Sequence, residues 1–453
     1  MVIAIALIVL VLATVLFHFF SPWYFTPIAS NWDTVDSTVD VTFWVTGVVF
    51  VAVNLFLAYA IIRYRHRKHG PKHQAHYEPE NKRLEWWLTG ITSVGIAAML
   101  APGLAVWAKF VTVPEDAQAV EVLGQQWAWT YRFPGQDGEL GAADSNLISI
   151  DNPFGLDPND PVGQDDRLVT SPELHLPVGK PVRLLLRAKD VNHQFAVPQF
   201  RVKMDMVPGM VTYFWLTPTR TGTFDVLCEQ LCGVAHFAMR GRVVVDEEPD
   251  FETWLAAQPT FAKVSAMSKG DPEAGKALFA ACTACHGTQG EGNRDLNAPK
   301  LSGQSGWYLA RQLHSFKSGV RGSHEQDVYA KQMQPFAQML ADEGAINDVV
   351  AYIKTLPEVR PPANIVGNPE RGRELYVTCA ACHGNEAKGI WATNAPRLSN
   401  MSDWYLARQL QNFRSGIRGG HPQDFHGAQM VPMARVLKDD EAIADLLDYL
   451  RTL

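Results

Sequence analysis

Polar and apolar positions divide the chain into three regimes. Residues 2–20, "VIAIALIVLVLATVLFHFF", contain no Asp, Glu, Lys or Arg, and the runs 41–62 and 86–108 are equally poor in charge. Each is close to the ~20 residues that cross a hydrocarbon core of about 30 Å, whereas apolar runs of soluble core helices seldom exceed ~14. Helices at about 2–20, 41–62 and 86–108 are expected, forming a transmembrane region over 1–108. From 109 to 262 the pattern turns to short alternating runs such as "AVEVLGQQWAWTYRF", "MVTYFWLTP" and "RGRVVVD", punctuated by Gly, Pro and Asp. That spacing predicts an all-β sandwich or barrel. Beyond 271 the chain reads as helical, ending its two halves in "EGAINDVVAYIKTL" and "DEAIADLLDYLRTL".

Charge orients the first regime. The loop "RYRHRKHGPKHQAHYEPENKR" carries seven Lys/Arg and two Glu, while "SPWYFTPIASNWDTVDSTVD" carries no Lys or Arg. The excess of Lys and Arg places the basic loop, between the second and third apolar runs, in the cytoplasm and everything after Lys109 outside. The first apolar run lacks the basic start and small-residue cleavage pattern of a signal peptide, so a retained anchor is expected. The chain is assigned to a bacterial cytoplasmic (inner) membrane as a multi-pass protein, its later domains on the periplasmic face.

The third regime is a repeat. "ACTACHG" holds Cys282, Cys285 and His286, and "CAACHG" holds Cys379, Cys382 and His383, an offset of 97 residues. "WYLARQL" recurs at the same offset, as do Met333 and Met430, so 271–356 and 368–453 align as a duplicated domain across the linker "PEVRPPANIVG". CxxCH is the attachment motif of haem c. On a helix its two thiols and histidine share one face, placing the imidazole beside a haem held through its vinyl groups. A thioether is the usual sixth ligand for electron transfer, which singles out Met333 and Met430. Met339 and Met433 do not recur at the offset, and His324 and His421, which do, are the fallback ligands. Each half resembles a small class I cytochrome c domain, and the tandem is similar to dihaem cytochromes of the c4 type.

The second regime holds "CEQLCGVAHFAM", Cys228 to Met239. Zinc disfavours a methionine ligand; two thiolates, an imidazole and a thioether suit copper. Two cysteines can bridge two coppers if a second histidine is supplied, and "DVNHQFAVPQF" offers His193, while His175 lacks such a context. This domain resembles the CuA domain of subunit II of haem–copper oxidases, a cupredoxin-like barrel behind transmembrane helices. The resemblance covers roughly residues 30–260 and rests on C-x3-C-x3-H-x2-M with the upstream "DVxH". It implies bridging by Cys228 and Cys232, one copper each for His193 and His236, and weak axial ligation by Met239 and the Gln230 carbonyl. It also implies that Trp127, in "GQQWAWTYRF", is where the electron enters, and that Glu85, in "RLEWW", marks a proton-path entrance. Two departures stand out. Gln230 replaces the family's glutamate, which puts its Mg site in doubt, and Met210 replaces the arginine of "VPGR".

The whole resembles the fused subunit II of caa3-type oxidases, with two haems c instead of one. All six cysteines are then assigned to metals. The expected function is the electron-input subunit of a terminal oxidase. It would pass electrons from a periplasmic or membrane donor, a cytochrome c or a bc1-type complex, through two haems c and binuclear CuA to subunit I. Oxygen reduction coupled to proton translocation would occur there. The alternatives are a CuA-containing nitric-oxide reductase and a membrane-tethered electron carrier. The middle domain, with 12 Lys/Arg and 21 Asp/Glu, is acidic, and the haem domains are near neutral. No nucleic-acid partner is expected. The 16-residue stretch "TFAKVSAMSKGDPEAG" reaches at most about 55 Å when extended, keeping the first haem domain near the copper.

Overall fold

The computed structural model describes residues 1–21, 26–64, 80–149, 152–169, 171–267 and 270–453. Most of the basic loop that sets the expected orientation, residues 65–79, lies outside the described residues.

Three N-terminal helices are long and apolar enough to cross a membrane: α1 (Val2–Phe20), α2 (Asp33–Tyr64) and α3 (Lys82–Val111). α1 ends where the apolar count predicts, but α2 and α3 extend past their apolar runs. At 32 and 30 residues they are roughly 48 and 45 Å long, more than the hydrocarbon core requires. The surplus at the start of α2 is anchored: Asp36 forms a double ion pair with Arg201 of the β domain. Just before α2, Trp32 is fully buried in the β-domain core and donates its indole N–H to the Trp215 carbonyl at 2.9 Å. The outer end of the helical region is therefore locked to the sheet.

Ten strands follow. β1 (Gln118–Gln125), β2 (Ala128–Phe133) and β3 (Arg167–Val169) share a sheet with β5 (Val182–Ala188) and β8 (Thr212–Leu216), in the order β3-β2-β1-β5-β8. The second sheet is ordered β4-β10-β9-β6-β7, from β4 (Glu173–Pro177), β6 (His193–Val197), β7 (Val202–Met206), β9 (Gly222–Cys228) and β10 (Arg240–Asp246). Inward positions of the alternating runs, among them Val120, Val122, Trp129, Tyr131, Phe195, Phe214 and Val243, fill the space between the sheets. Arg132, buried in this domain, is held by Glu121, by Asp166 at 2.7 Å and by the Gly141 carbonyl at 2.9 Å. Two short helices, α4 (Glu248–Ala257) and α5 (Phe261–Met267), fold back onto the strands through Phe251, Trp254 and Phe261. Of the stretch that joins this domain to the repeats, residues 261–267 and 272–275 are helical.

The repeats fold alike. The first has α6 (Pro272–Phe279), α7 (Thr283–His286), α8 (Gly306–Lys317), α9 (Val328–Gln338) and α10 (Glu343–Thr355). The second has α11 (Pro369–His383), α12 (Asp403–Ser415), α13 (Phe425–Ala434) and α14 (Asp440–Leu450). Each core joins the first helix of the repeat to the last, through Phe279 with Ile346 and Val349 in one and Tyr376 with Ile443 and Leu446 in the other. Between the domains the contacts are reciprocal. Arg321 reaches Tyr405 and Gln409 at 2.7 and 3.1 Å, and Arg418 reaches Tyr308 and Gln312 at 3.1 and 2.9 Å. Each pair of equivalents is 97 residues apart.

Candidate metal and haem sites

Pairing of β6 with β9 sets Phe195 opposite Cys228, so His193 at the start of β6 lies beside Cys228 at the end of β9. The loop after β9 turns back through a 3-10 turn at His236–Ala238, returning His236 and Met239 to the same point. Cys228 Sγ and Cys232 Sγ are 3.7 Å apart. His193 Nδ1 lies 3.9 Å from Cys228 Sγ, and His236 Nδ1 lies 3.4 Å from Cys232 Sγ. Met239 Sδ is 3.8 Å from Cys232 Sγ, and the Gln230 carbonyl is 3.3 Å from Cys228 Sγ. His193, Cys228, Cys232 and Met239 are buried.

This donor set fits copper. Each imidazole faces a different sulfur, and the thioether and the carbonyl lie at opposite sulfurs. The Cys232 side chain holds the Cys228 thiol far below its ordinary range, at about 3, while Cys228 in turn pushes the Cys232 thiol up. The pair thus favours ionisation at Cys228, and a bound cation would favour the thiolate form of both. Burial disfavours the His193 cation, but Asp190 and Cys228 outweigh it and its pKa rises. Asp190 takes the opposite ring nitrogen, Nε2, at 2.8 Å and so aims Nδ1 at the sulfur. The same carboxylate accepts from the Gln126 backbone N–H at 2.7 Å.

Trp127 abuts the cluster. Its indole N–H donates to the Cys232 carbonyl at 3.1 Å, and the Gln126 side chain donates to the same oxygen at 2.8 Å. Gly233 permits this approach. Its φ is +118°, and a Cβ there would meet Gln126 Nε2 at 2.8 Å and Trp127 Cζ2 at 2.9 Å.

In the repeats, His286 and His383 are buried, each with Nδ1 against a proline carbonyl, Pro299 at 2.8 Å and Pro396 at 2.7 Å. Burial lowers both pKa values against the opposing carbonyl bond, so the rings are neutral with Nε2 left to ligate. The four CxxCH thiols are free and half-buried. Neutral, oriented imidazole beside paired thiols fits covalent haem c. Met333 and Met430 are half-buried within α9 and α13. His324 and His421 instead accept from the backbone N–H of Gln326 and Gln423 in their own loops, each at 3.2 Å.

Other candidates lie elsewhere. His175 pairs with Asp246 at 2.5 Å and stacks on Trp254. Glu85 is exposed in the first turn of α3, and Met210 is exposed on the β domain. Sequence reasoning missed Asp190, Gln126, Pro299 and Pro396. The prolines were findable, since "NAPKL" and "NAPRL" recur at the 97-residue offset. Asp190 stands three residues before His193, in the "DVNH" already quoted.

The second repeat adds a contact that no local motif announces. Gln429 on α13 donates its side-chain amide to the Trp127 carbonyl at 2.7 Å, and Lys189 sits 3.4 Å from the ring centroid of Trp391. Cys382 packs against the β-domain core.

Fold and donor set together define a class: redox proteins that carry a cupredoxin-like copper domain and cytochrome c domains behind apolar N-terminal helices. Residues 118–247 match the family described as cytochrome c oxidase subunit II, periplasmic domain, and residues 272–357 and 369–453 each match cytochrome c. The chain is 58% identical over 265 residues to the alternative cytochrome c oxidase subunit 2 of Bradyrhizobium diazoefficiens, covering 95% of that protein and 58% of this chain. It belongs to the cytochrome c oxidase subunit 2 family. Among solved structures it is similar to the periplasmic domain of subunit II of the cytochrome oxidase of Bradyrhizobium japonicum, at 28% identity. That match has a TM-score of 0.24 and covers 32% of this chain and 95% of the other. It is also similar to cytochrome c4 from Pseudomonas stutzeri, at 27% identity. Here the TM-score is 0.34, with 41% of this chain and 99% of the other covered.

Proposed function

We propose that this chain is the electron-input subunit of a haem–copper oxidase, working on the outer face of a bacterial cytoplasmic membrane. The reading is carried by one observation: two buried thiols 3.7 Å apart, each with its own histidine. Cys228 and Cys232 would bridge two coppers. His193 and His236 would each complete one of them, with Met239 and the Gln230 carbonyl as weak axial ligands. Two haems c would be held by Cys282, Cys285, His286 and Met333, and by Cys379, Cys382, His383 and Met430. Bound there, these groups supply one-electron chemistry without proton transfer. The protein's own part is to hold the ligands fixed in a dry site, which limits reorganisation when charge changes. Asp190, Pro299 and Pro396 fix the imidazoles, and Trp127 joins the loop of Cys232 to α13.

An external donor, a cytochrome c or a bc1-type complex, would deliver electrons, and subunit I would reduce oxygen and translocate protons. Fusion of donor domains to the copper domain raises their effective concentration relative to a diffusing donor. The test is purification through a tag on this chain from its native membrane. A haem- and copper-containing catalytic subunit should co-purify, and the complex should consume oxygen with a reduced donor. Consumption of nitric oxide without oxygen would overturn the reading, as would isolation of the chain alone.

A further inference from the structure

Two haem domains of one fold follow the copper domain, and they do not meet it equally. α13 of the second domain lies against Trp127. Phe425, His426, Gln429 and Pro432 line a cavity of about 320 Å³ with Trp127 and Phe237. Across this seam Gln429 donates to the Trp127 carbonyl, and Lys189 caps Trp391. The repeat gives a control within the chain. The residue 97 positions before Gln429 is Gln332 on α9, and it is exposed. So are its neighbours Val328, Tyr329 and Phe336, 54%, 42% and 43% exposed, whereas Phe425, His426 and Met433 at the same register are only partly so. One helix face therefore exists twice: on α13 it is docked on Trp127, whereas on α9 Gln332 is exposed and Tyr329 meets Arg408 of the second repeat instead.

We infer that the second haem domain is the immediate donor to the copper site and the first lies upstream, with Gln429 the residue that positions α13 on Trp127. The inference rests on the proposed electron-input function. The step would move one electron from a haem held by Cys379, Cys382 and His383 to copper held by Cys228, Cys232, His193 and His236, oxidising the first group and reducing the second, with no bond or proton moved. The path from α13 runs through the Gln429 amide to the Trp127 backbone, and through the Trp127 indole to the Cys232 carbonyl. Both links are hydrogen bonds, and the Trp127 side is buried. Contact through α9 would instead require Gln332 to leave solvent and displace its twin.

The experiment uses the full chain with Gln429→Ala, the near-isosteric Gln429→Glu, and Gln332→Ala. Hydrogen exchange should show 425–434 more protected than 328–338, with that protection falling about tenfold in both Gln429 variants and unchanged in Gln332→Ala. Flash-induced reduction of the copper site should slow about tenfold in the Gln429 variants and stay within twofold of wild type in Gln332→Ala. Equal exchange in the two helices, or wild-type transfer in both Gln429 variants, would overturn the inference. A chain lacking the bridged-copper resonance or haem c absorption would instead sink the functional reading beneath it.

Discussion

Trp127 donates its indole N–H to the carbonyl of Cys232, 3.1 Å away, so the aromatic ring is joined by one hydrogen bond to a residue whose side chain stands in the cluster with Cys228 and His193. Phenylalanine at 127 keeps an aromatic ring and removes that donor. The Trp127→Phe variant is expected to slow haem-to-copper transfer roughly tenfold, equivalent to about 1.4 kcal/mol in the barrier. Its haem and copper spectra should be unchanged. Flash photolysis with absorbance detection at both centres checks this, and transfer at wild-type rate would return Trp127 to a packing role.

Two coppers per chain are expected, sharing one unpaired electron across the thiolates. The oxidised protein should show a seven-line hyperfine pattern, with metal analysis giving two copper atoms. His236→Ala removes the ligand that faces Cys232 alone and should collapse the pattern to four lines. Four lines in the unaltered protein would rule out bridging by Cys228 and Cys232.

Thioether ligation by Met333 and Met430 predicts a weak far-red absorption band in the oxidised chain. Met430→Ala should remove about half of it and lower the potential of one haem, since loss of a thioether ligand disfavours the reduced state. Persistence of the whole band in a Met333→Ala, Met430→Ala double variant would exclude both. His324 and His421, now turned to their own backbones, would then need testing.

Arg132 is buried between Glu121 and Asp166. Alanine there leaves the buried Asp166 without its cation and Glu121 with Arg187 alone, a change expected to cost about 3–5 kcal/mol of β-domain stability. Urea unfolding followed by tryptophan fluorescence would measure it. A loss below about 1 kcal/mol would mean that solvent reaches the carboxylates.

What could be read in advance follows the distance over which each feature is encoded. Cys228, Cys232, His236 and Met239 fall in one loop, so their chemistry is visible in twelve residues. His193 lies outside that loop: the demand for a second histidine singled it out, and the pairing of β6 with β9 delivers it. The start of α2 was misplaced because apolar counting stops at the first charge, yet Asp33 and Asp36 continue the helix and Asp36 finds Arg201. The seam between Gln429 and Trp127 spans 302 residues, and no sequence pattern links its two ends. A glutamine is read as a solvated surface residue until the folded chain shows what it faces.

The reciprocal arginines carry a last implication. Arg321 and Arg418 each grip the other domain's tyrosine and glutamine, so the two surfaces are self-complementary in the manner of a two-fold dimer. The segment between the domains turns that dimer into a single chain, making its assembly independent of concentration. Each half of the duplication is then under two kinds of constraint. The surface turned to its twin must match a copy of itself, and the positions of Gln332 and Gln429 lie outside that match. Only the second kind leaves twins at liberty to diverge, and it is there that Gln429 has met Trp127 while Gln332 stays exposed.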